Sequence, residues 1–259
     1  MPLESKRVLI TGAGSGIGRA LAIEAANRGM RVALCGRRSE ALVATASAIG
    51  VRRRALILPA DVTLGADRRR LVAEISDAWG ALDILVNNAG VVEGGPLERT
   101  DDETLDCVFR TNVIAPMALA RDFAPLLATA RPSRVVNIGS VFGDIPYPGF
   151  AAYSASKFAL RGFSIALRRE WAESGIAVTY AAPRATKTDA AAAFEDLIAV
   201  SKMTLDAPEQ VARRIWRAVE KGSDSVYPKG PEKLFVLIQR LFPRVIDRAM
   251  ARRPVPDAV

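Results

Sequence analysis

A tyrosine and a lysine lie one helical turn apart beyond the middle of the chain. Tyr153 and Lys157 belong to Ala-Ala-Tyr-Ser-Ala-Ser-Lys (151–157), which opens a stretch with helical spacing of apolar residues. Residues four apart on a helix share one face, about one turn or ~5.4 Å from each other. A cation this close lowers the phenol pKa of about 10 by about 1–3 units. The pair therefore predicts proton transfer in carbonyl–alcohol chemistry, with an ordinary surface Tyr–Lys pair as the alternative.

A glycine-rich turn near the start of the chain predicts a phosphate-binding site. The apolar run Arg7–Thr11 leads into Gly-Ala-Gly-Ser-Gly-Ile-Gly (12–18), and a helical stretch follows. A strand, a glycine turn and a helix direct backbone N–H groups and the positive helix end toward a ligand phosphate. The spacing T-G-x-x-x-G-x-G differs from the common dinucleotide fingerprint G-x-G-x-x-G.

Taken together, the glycine turn and the Tyr153-x-x-x-Lys157 motif resemble the short-chain dehydrogenase/reductase family. Further matches follow in the family's order: Asn87–Gly90 after an apolar strand, Asn112 in a helical stretch, and Ser140 just beyond a strand. The resemblance covers residues 7–227 and implies a nicotinamide-dependent oxidoreductase.

The resemblance also implies a role for each of four catalytic residues. Tyr153 exchanges a proton with the substrate oxygen, and Ser140 donates a hydrogen bond to the same oxygen. Lys157 lowers the Tyr153 pKa and binds the nicotinamide ribose. Asn112 holds a water that connects Lys157 to solvent. Tyr147 is a weaker rival to Tyr153, because no lysine follows it by one helical turn.

Length and composition favour one large α/β domain. The chain has 259 residues, half of them apolar and a quarter charged. Apolar runs alternate with helical periodicity, which predicts a doubly wound parallel sheet, or Rossmann fold. Strands are predicted at 7–11, 31–35, 55–59, 83–86, 134–138, 177–181 and 224–227, and helices near 17–28, 39–49, 66–79, 101–130, 152–173 and 208–221. We expect a dinucleotide-binding and catalytic domain at 1–230 and a C-terminal amphipathic extension at 231–259.

Composition disfavours several other classes of protein. The sequence contains no histidine, so neither a His-based triad nor a metal site is predicted. No apolar run approaches the ~20 residues of a membrane span, and no signal peptide is recognised, so we expect a cytoplasmic protein. Cys35 and Cys107 give no disulfide framework, and Cys35 is expected to be a reduced core residue. The net charge of +8 comes from scattered basic residues, so no nucleic acid partner is predicted.

The end of the second predicted strand indicates which nicotinamide cofactor binds. An NAD enzyme needs an acid there for the adenosine ribose, and Gly36 stands where the family's NAD-dependent members carry Asp. Arg37 and Arg38 follow instead, and no carboxylate comes before Glu40. An arginine binds a 2′-phosphate through charge-assisted hydrogen bonds. NADP(H) is therefore the predicted cofactor, with two exposed loop arginines as the alternative reading.

The resemblance implies further cofactor contacts along the chain. Asn87–Gly90 corresponds to the adenosine contact, or alternatively to a simple turn. Arg184 replaces a family glycine; it would be strained at positive φ, and it brings a cation near the substrate. The complete predicted set is Gly12, Ser15, Gly16, Ile17, Gly18, Arg37, Arg38, Asp61, Val62, Asn88, Ala89, Gly90, Tyr153, Lys157, Pro183, Thr186 and Thr188.

Residues 189–206 fall where the family places a substrate lid. The apolar residues there, together with Tyr147, Phe150 and Val91–Val92, predict a pocket for an apolar ketone, aldehyde or alcohol. The lid residues concerned are Phe194, Leu197, Ile198, Val200, Met203 and Leu205. The alternative is a segment that only packs on the core.

The last stretch of the chain has an apolar helical face with arginines every four residues from Arg240 to Arg252. Pro243 predicts two helical pieces or a kink. Such an extension packs on the body or on a second subunit of a homo-oligomer, or lies on an anionic membrane. At the level of the whole protein, the alternative to an enzyme is a non-catalytic nucleotide sensor or scaffold with the same fold.

Overall fold

A parallel seven-stranded sheet forms the centre of the molecule. A computed structural model describes residues 1–50, 55–188 and 205–251. The strands are β1 (Arg7–Thr11), β2 (Arg31–Gly36), β3 (Leu56–Pro59), β4 (Ile84–Asn87), β5 (Ser133–Ile138), β6 (Ile176–Ala181) and β7 (Ser225–Val226). Their order is β3-β2-β1-β4-β5-β6-β7, and every neighbouring pair is parallel. The predicted Rossmann fold is confirmed, and each predicted strand lies within two residues of an observed one.

Helices cover both faces of this sheet. They are α1 (Gly16–Asn27), α2 (Ser39–Ile49), α3 (Gly65–Trp79), α4 (Asp102–Phe109), α5 (Ala115–Thr129), α6 (Ala151–Glu170), α7 (Pro208–Glu220), α8 (Glu232–Leu241) and α9 (Pro243–Met250). Alternate residues of β1 show the layering: Val8 and Ile10 pack with Trp216 of α7, whereas Leu9 packs with Phe123 of α5. All are buried, as expected for strands covered on both faces.

The single helix predicted over 101–130 is divided, which corrects the sequence-based expectation. Between α4 and α5, residues Arg110–Ile114 form a π-helical turn. Pro116 explains the break, because it has no N–H to donate to the carbonyl of Asn112, four residues earlier. The turn places Asn112 in a buried position against α6.

The C-terminal extension forms two helices that meet at Pro243, as its position predicts. Val236 of α8 and Ile246 of α9 are buried against Ile145, which lies in the loop between β5 and α6. Arg240 reaches into the same loop and donates to Asp144 at 3.0 Å. The helix pair therefore packs on the segment that leads to Tyr153.

Candidate active site

The central cleft opens where the strand order reverses, between β1 and β4. In a doubly wound sheet, ligands bind at this point, beyond the carboxyl ends of the strands. Thr11 ends β1, and its Oγ1 accepts the N–H groups of Asn88 and Ala89, both at 3.0 Å. In return, Nδ2 of Asn88 donates to the Thr11 carbonyl at 2.9 Å. These hydrogen bonds hold the turn after β4 against the glycine turn after β1.

The glycine turn leaves room for an approaching phosphate. Gly12 and Gly16 have φ values of +65° and +52°, which side chains other than glycine rarely adopt. α1 begins at Gly16, and the Ser15 side chain makes no capping hydrogen bond to it. The first N–H groups of α1 are thus available to an anion. Gly18 has a different role: a Cβ there would overlap the Gly12 carbonyl oxygen, so this glycine allows the helix to pack on the turn.

One cleft of about 560 Å³ gathers most of the predicted cofactor residues. It is lined by Gly12, Ser15, Gly16, Ile17, Arg37, Arg38, Asp61, Val62, Asn88, Ala89, Gly90, Ser140, Tyr153, Lys157, Pro183, Thr186 and Thr188. Gly18 and Asn112 are the predicted site residues that do not line it, since both lie behind its wall. The volume and lining of the cleft are compatible with a dinucleotide, and the glycine turn within it could hold a phosphate.

Basic residues form the part of the cleft beyond β2. Arg37 and Arg38 are exposed and line it next to Gly36. The carboxylate of Asp61, on the neighbouring loop, accepts hydrogen bonds from the backbone and side chain of Thr63 at 2.9 and 2.7 Å. Asp61 therefore shapes its own loop, and the two arginines line the cleft beyond β2.

Tyr153 and Lys157 lie together on the first turns of α6, as their spacing predicts. Both side chains are almost completely buried, at 7% and 5% exposure. Lys157 Nζ donates to the Ile138 carbonyl at 3.1 Å and lies 5.5 Å from the centroid of the Tyr153 ring. Tyr153 shares a side-chain hydrogen bond with Ser140. The three side chains thus converge at the same point of the cleft.

The protonation of the pair differs from the sequence-based expectation. Burial raises the pKa of Tyr153 to about 12, while its hydrogen bond with Ser140 acts in the opposite direction. Burial also lowers the pKa of Lys157 to about 8. The expected Tyr153 pKa below 10 is therefore wrong in this structure, because withdrawal from water outweighs the hydrogen bond with Ser140. Near neutral pH, Tyr153 is a protonated acid, and Lys157 is the residue of the pair that titrates.

Ser140 is fixed at the beginning of a short 3-10 turn after β5. Its Oγ accepts the N–H of Phe142 at 3.1 Å, which leaves its own proton to be donated. Gly139, just before it, packs so closely on Tyr180 that a Cβ would overlap the aromatic ring. The Tyr180 hydroxyl in turn donates to the Ser140 carbonyl at 3.2 Å. Backbone and side-chain contacts together orient the serine toward Tyr153.

Asn112 stabilises the cleft wall from behind Gly90. Its Oδ1 accepts the N–H of Val91 and its Nδ2 donates to the Val91 carbonyl, both at 2.9 Å. The same Nδ2 donates to Ser156 Oγ at 3.1 Å, which connects it to α6. A Cβ on Gly90 would lie 3.0 Å from Asn112 Oδ1 and 3.6 Å from Lys157 Nζ, so these side chains converge there.

Two aromatic residues predicted to line a substrate pocket lie elsewhere, which is a further correction. Phe150 is 1% exposed, and neither it nor Tyr147 lines the cleft. Both pack with Phe142 and Tyr153 in one cluster, in which the Tyr147 ring stacks on Phe142 at 5.5 Å. Their aromatic surface is more favourably buried against Phe142 than exposed beside the cleft. They support Tyr153 from behind, whereas Val91 and Val92 do line the cleft.

Arg184 is neither strained nor a lone cation. Among the described residues, positive φ at a residue other than glycine occurs at Ser5, not here. The guanidinium forms ion pairs of 2.6 Å with Asp206 and with Glu232 of α8. Partial burial acts in the opposite direction, yet its hydrogen bonds to these two carboxylates raise the Arg184 pKa. The side chain lines the cleft and connects it to the C-terminal helices.

Several cleft residues were not predicted. Ala41, Thr63, Cys107, Arg110, Thr111 and Ala185 line the cleft in addition to the predicted residues. The sequence contains a signal for Thr63 and Ala185, because each lies within two residues of a predicted cofactor contact. Cys107 and Arg110 lie on α4 and the π-helical turn, whose position only the folded chain reveals. The predicted lid residues from Phe194 to Met203 lie outside the described part of the chain.

Comparison with known proteins places this cleft in a family. A profile of the short chain dehydrogenases matches residues 6–197. The chain is similar to the 3-oxoacyl-(acyl-carrier-protein) reductase FabG of Escherichia coli strain K12, with 36% identity over 76% of this chain and 80% of that protein.

Solved structures give the same result. A short-chain dehydrogenase from Burkholderia cenocepacia in complex with NADP has a TM-score of 0.79 at 32% identity, covering 87% of this chain and 96% of that one. A short-chain dehydrogenase/reductase from Burkholderia phymatum in complex with NAD shares the fold, with a TM-score of 0.87 at 24% identity over 100% and 99% of the two chains. The resemblance found in the sequence is thereby confirmed, and the chain belongs to the short-chain dehydrogenase/reductase family of oxidoreductases.

Proposed function

We propose that this protein is an NADP(H)-dependent oxidoreductase acting on the carbonyl or alcohol carbon of an apolar substrate, with Tyr153 as the general acid and base. The observation that carries the proposal is the convergence of Tyr153, Ser140 and Lys157 in the cleft that also contains the glycine turn. A non-catalytic nucleotide sensor needs the turn but has no use for this arrangement. The relative FabG, named as a 3-oxoacyl reductase, adds support for carbonyl chemistry.

The arrangement suits proton transfer to a carbonyl oxygen. NADP(H), when bound in the cleft, would supply or take up the hydride. Tyr153, protonated below its pKa of about 12, donates its proton to the oxygen as negative charge develops there. Ser140 donates a second hydrogen bond to that oxygen and fixes its position. Lys157, with a pKa of about 8, would bind the nicotinamide ribose and titrates in the range where a proton relay operates.

Replacing Tyr153 by Phe tests the catalytic assignment. Loss of a general acid typically reduces turnover by about 10²–10⁴-fold, so we expect at least a 100-fold decrease in kcat with apolar ketones and aldehydes. NADPH binding, followed by nucleotide fluorescence, should change less than threefold because the ring is retained. Tyr147→Phe is the matched control: Tyr147 lies in the same aromatic cluster but does not line the cleft, so its turnover should stay near wild type.

Two results contradict the assignment. Turnover of Tyr153→Phe at the wild-type level would remove Tyr153 from the chemistry. A wild-type protein that binds NADPH but turns over no ketone, aldehyde or alcohol in a broad panel would favour the sensor.

The preference for NADP(H) rests on Arg37 and Arg38. Hydrogen bonds to charged groups contribute about 1.5–3 kcal/mol each, so Arg37→Ala or Arg38→Ala should weaken NADPH binding by about 10–100-fold. NADH binding should be unchanged in the same variants, because NADH has no 2′-phosphate. Arg69→Ala, at an exposed arginine that does not line the cleft, is the control. An equal loss of affinity for both nucleotides, or tighter wild-type binding of NADH, would contradict NADP(H) preference.

We also propose that the protein forms a homo-oligomer through α5, α6 and the π-helical turn. Ile114, Met117 and Phe158 are 54%, 40% and 39% exposed on these adjacent elements. Apolar side chains grouped on a surface favour association with a copy that presents the same surface. Light scattering should give a mass above one chain, which Ile114→Glu combined with Met117→Glu should reduce. A monomeric wild-type protein at micromolar concentration would refute this proposal.

A further inference from the structure

The C-terminal helix pair, α8 and α9, has an inner face that is fully engaged with the body. Val236 and Ile246 are buried beside Ile145, and Met250 contacts the aromatic cluster around Tyr153. Two polar contacts add to this packing: Glu232 pairs with Arg184, and Arg240 pairs with buried Asp144. Within the described residues, the contacts that orient the pair on the body therefore lie on one side of it.

The opposite side carries an unusual density of exposed apolar surface. Of the thirteen large apolar side chains exposed among the described residues, six fall within residues 234–245. Leu234, Leu237 and Leu241 follow helical spacing on α8 and are 57%, 51% and 60% exposed. Phe242 and Val245 continue this surface at the start of α9, at 63% and 56% exposure. We call these five residues, with exposed Lys233, Arg244 and Arg248, the C-terminal outer face.

The charge of this face identifies what would cover it. Asp247 is the one exposed acid between residues 232 and 250. The other acid in this range, Glu232, is partly buried and paired with Arg184. In a two-fold interface between two copies, the same surface meets itself, so Arg244 and Arg248 would face an equally basic partner. An apolar surface bordered by cations that form no ion pair within the described residues instead matches anionic lipid, whose acyl region takes the leucines and whose headgroups take the arginines.

We propose that the C-terminal outer face docks the protein on an anionic membrane surface. The docking is peripheral, since no helix within the described residues is both long and apolar enough to cross a bilayer. With the outer face on lipid, the inner face remains on the loop that carries Asp144 and Ile145. The body of the protein, which contains the active-site cleft, then lies against the membrane. The apolar substrate of the proposed function partitions into the same membrane.

Vesicle cosedimentation of the full-length protein tests the proposal. The probes are phosphatidylcholine vesicles with and without 30% phosphatidylglycerol. Lys233, Arg244 and Arg248, at about fivefold each, predict a preference for the anionic vesicles of about 100-fold, reduced by high salt. Leu237→Glu with Leu241→Glu, and separately Arg244→Glu with Arg248→Glu, should each abolish this binding.

Matched controls separate docking from general effects. Arg213 and Arg217 are also exposed arginines four residues apart on a helix, so changing both to Glu alters the net charge equally. Val43 and Leu64 are exposed apolar residues elsewhere on the surface. Val43→Glu combined with Leu64→Glu is therefore the control for the two leucine changes. Both control variants should bind vesicles nearly as the wild type does. NADPH binding in every variant reports correct folding independently of any catalytic activity.

The proposal is overturned if the wild type binds neither vesicle, or binds neutral and anionic vesicles equally. It is also overturned if the control variants lose binding as fully as the C-terminal ones. A fourth outcome assigns the surface to a second copy: no vesicle binding, together with a lower mass by light scattering for Leu237→Glu with Leu241→Glu.

Discussion

The buried ammonium of Lys157 makes the stability of the protein depend on pH in a defined direction. The ordinary pKa of a lysine is about 10.5, and that of Lys157 in the folded protein is about 8. At about 1.4 kcal/mol per pKa unit, burial of the charged form therefore destabilises the fold by about 3 kcal/mol. Below pH 8 both the folded and the unfolded chain hold the proton, so this penalty is fully present.

Between pH 8 and 10.5 the folded protein loses the Lys157 proton while the unfolded chain keeps it. Because the unfolded state then binds more protons, the free energy of unfolding rises with pH through this window. Tyr153 acts in the opposite direction at higher pH: its folded pKa of about 12 exceeds the ordinary value of 10, so stability falls between pH 10 and 12. Cys35 acts in the same direction as Tyr153 above about pH 9, because burial raises its pKa from 9.0 to about 12. The difference between the wild type and a variant without the Lys157 ammonium, measured up to pH 9.5, cancels these contributions and isolates that of Lys157.

The perturbation is Lys157→Met, which keeps most of the side-chain volume and removes the charge. Urea unfolding of both proteins without nucleotide, at intervals from pH 7.5 to 9.5, gives the difference in their free energies of unfolding. Relative to the variant, the wild type should gain about 2 kcal/mol over this range, most of the full 3 kcal/mol. Lys229→Met, at an exposed lysine, should produce no such trend. A difference between wild type and Lys157→Met that is constant, or that falls with pH, would refute the reasoning.

Three further predictions follow from individual contacts. Asp144→Asn should destabilise the fold by about 3–5 kcal/mol in urea unfolding, because the fully buried Asp144 carboxylate pairs with Arg161 and Arg240. Asp106→Asn, which removes an exposed ion pair with Arg110, should have little effect. Gly18→Ala should lower stability by about 1–3 kcal/mol and weaken NADPH binding, since its Cβ would overlap the Gly12 carbonyl. Gly162 has open space around it inside α6, so Gly162→Ala should be neutral or stabilising. A thiol reagent should label exposed Cys107 and leave Cys35 unmodified until the protein unfolds, because burial raises the Cys35 pKa to about 12; two fast thiols in the native protein would contradict this.

Local patterns were sufficient to predict the sheet and the position of the cleft. The run Arg7–Thr11 and the glycines after it define a strand, a turn and a helix within a short segment, so no distant contact is needed to recognise them. Tyr153 and Lys157 were likewise paired correctly by helical spacing alone. The end of each parallel strand then places its loop at one edge of the sheet, which brings these segments together.

Features that depend on distant residues were predicted incorrectly or missed. The reversed direction of the Tyr153 pKa follows from burial by an aromatic cluster that includes Phe142, whose packing no local pattern encodes. The π-helical turn at Asn112 has a local cause in Pro116, which the helical periodicity of the stretch obscured. The ion pair of Arg184 with Glu232 was not predicted, because Glu232 lies 48 residues further along the chain.

The carboxylate of Asp144 bears on how this protein can be shortened. It receives Arg161 from α6, Arg240 from α8 and the hydroxyl of Tyr227, all at 3.0 Å. Although residues 1–230 contain every side chain assigned to chemistry, a truncation after residue 230 would remove one of these three partners and uncover Ile145 beside them. We therefore expect the boundary drawn from sequence to separate motifs rather than independently folding parts, and the smallest active form to retain both α8 and α9.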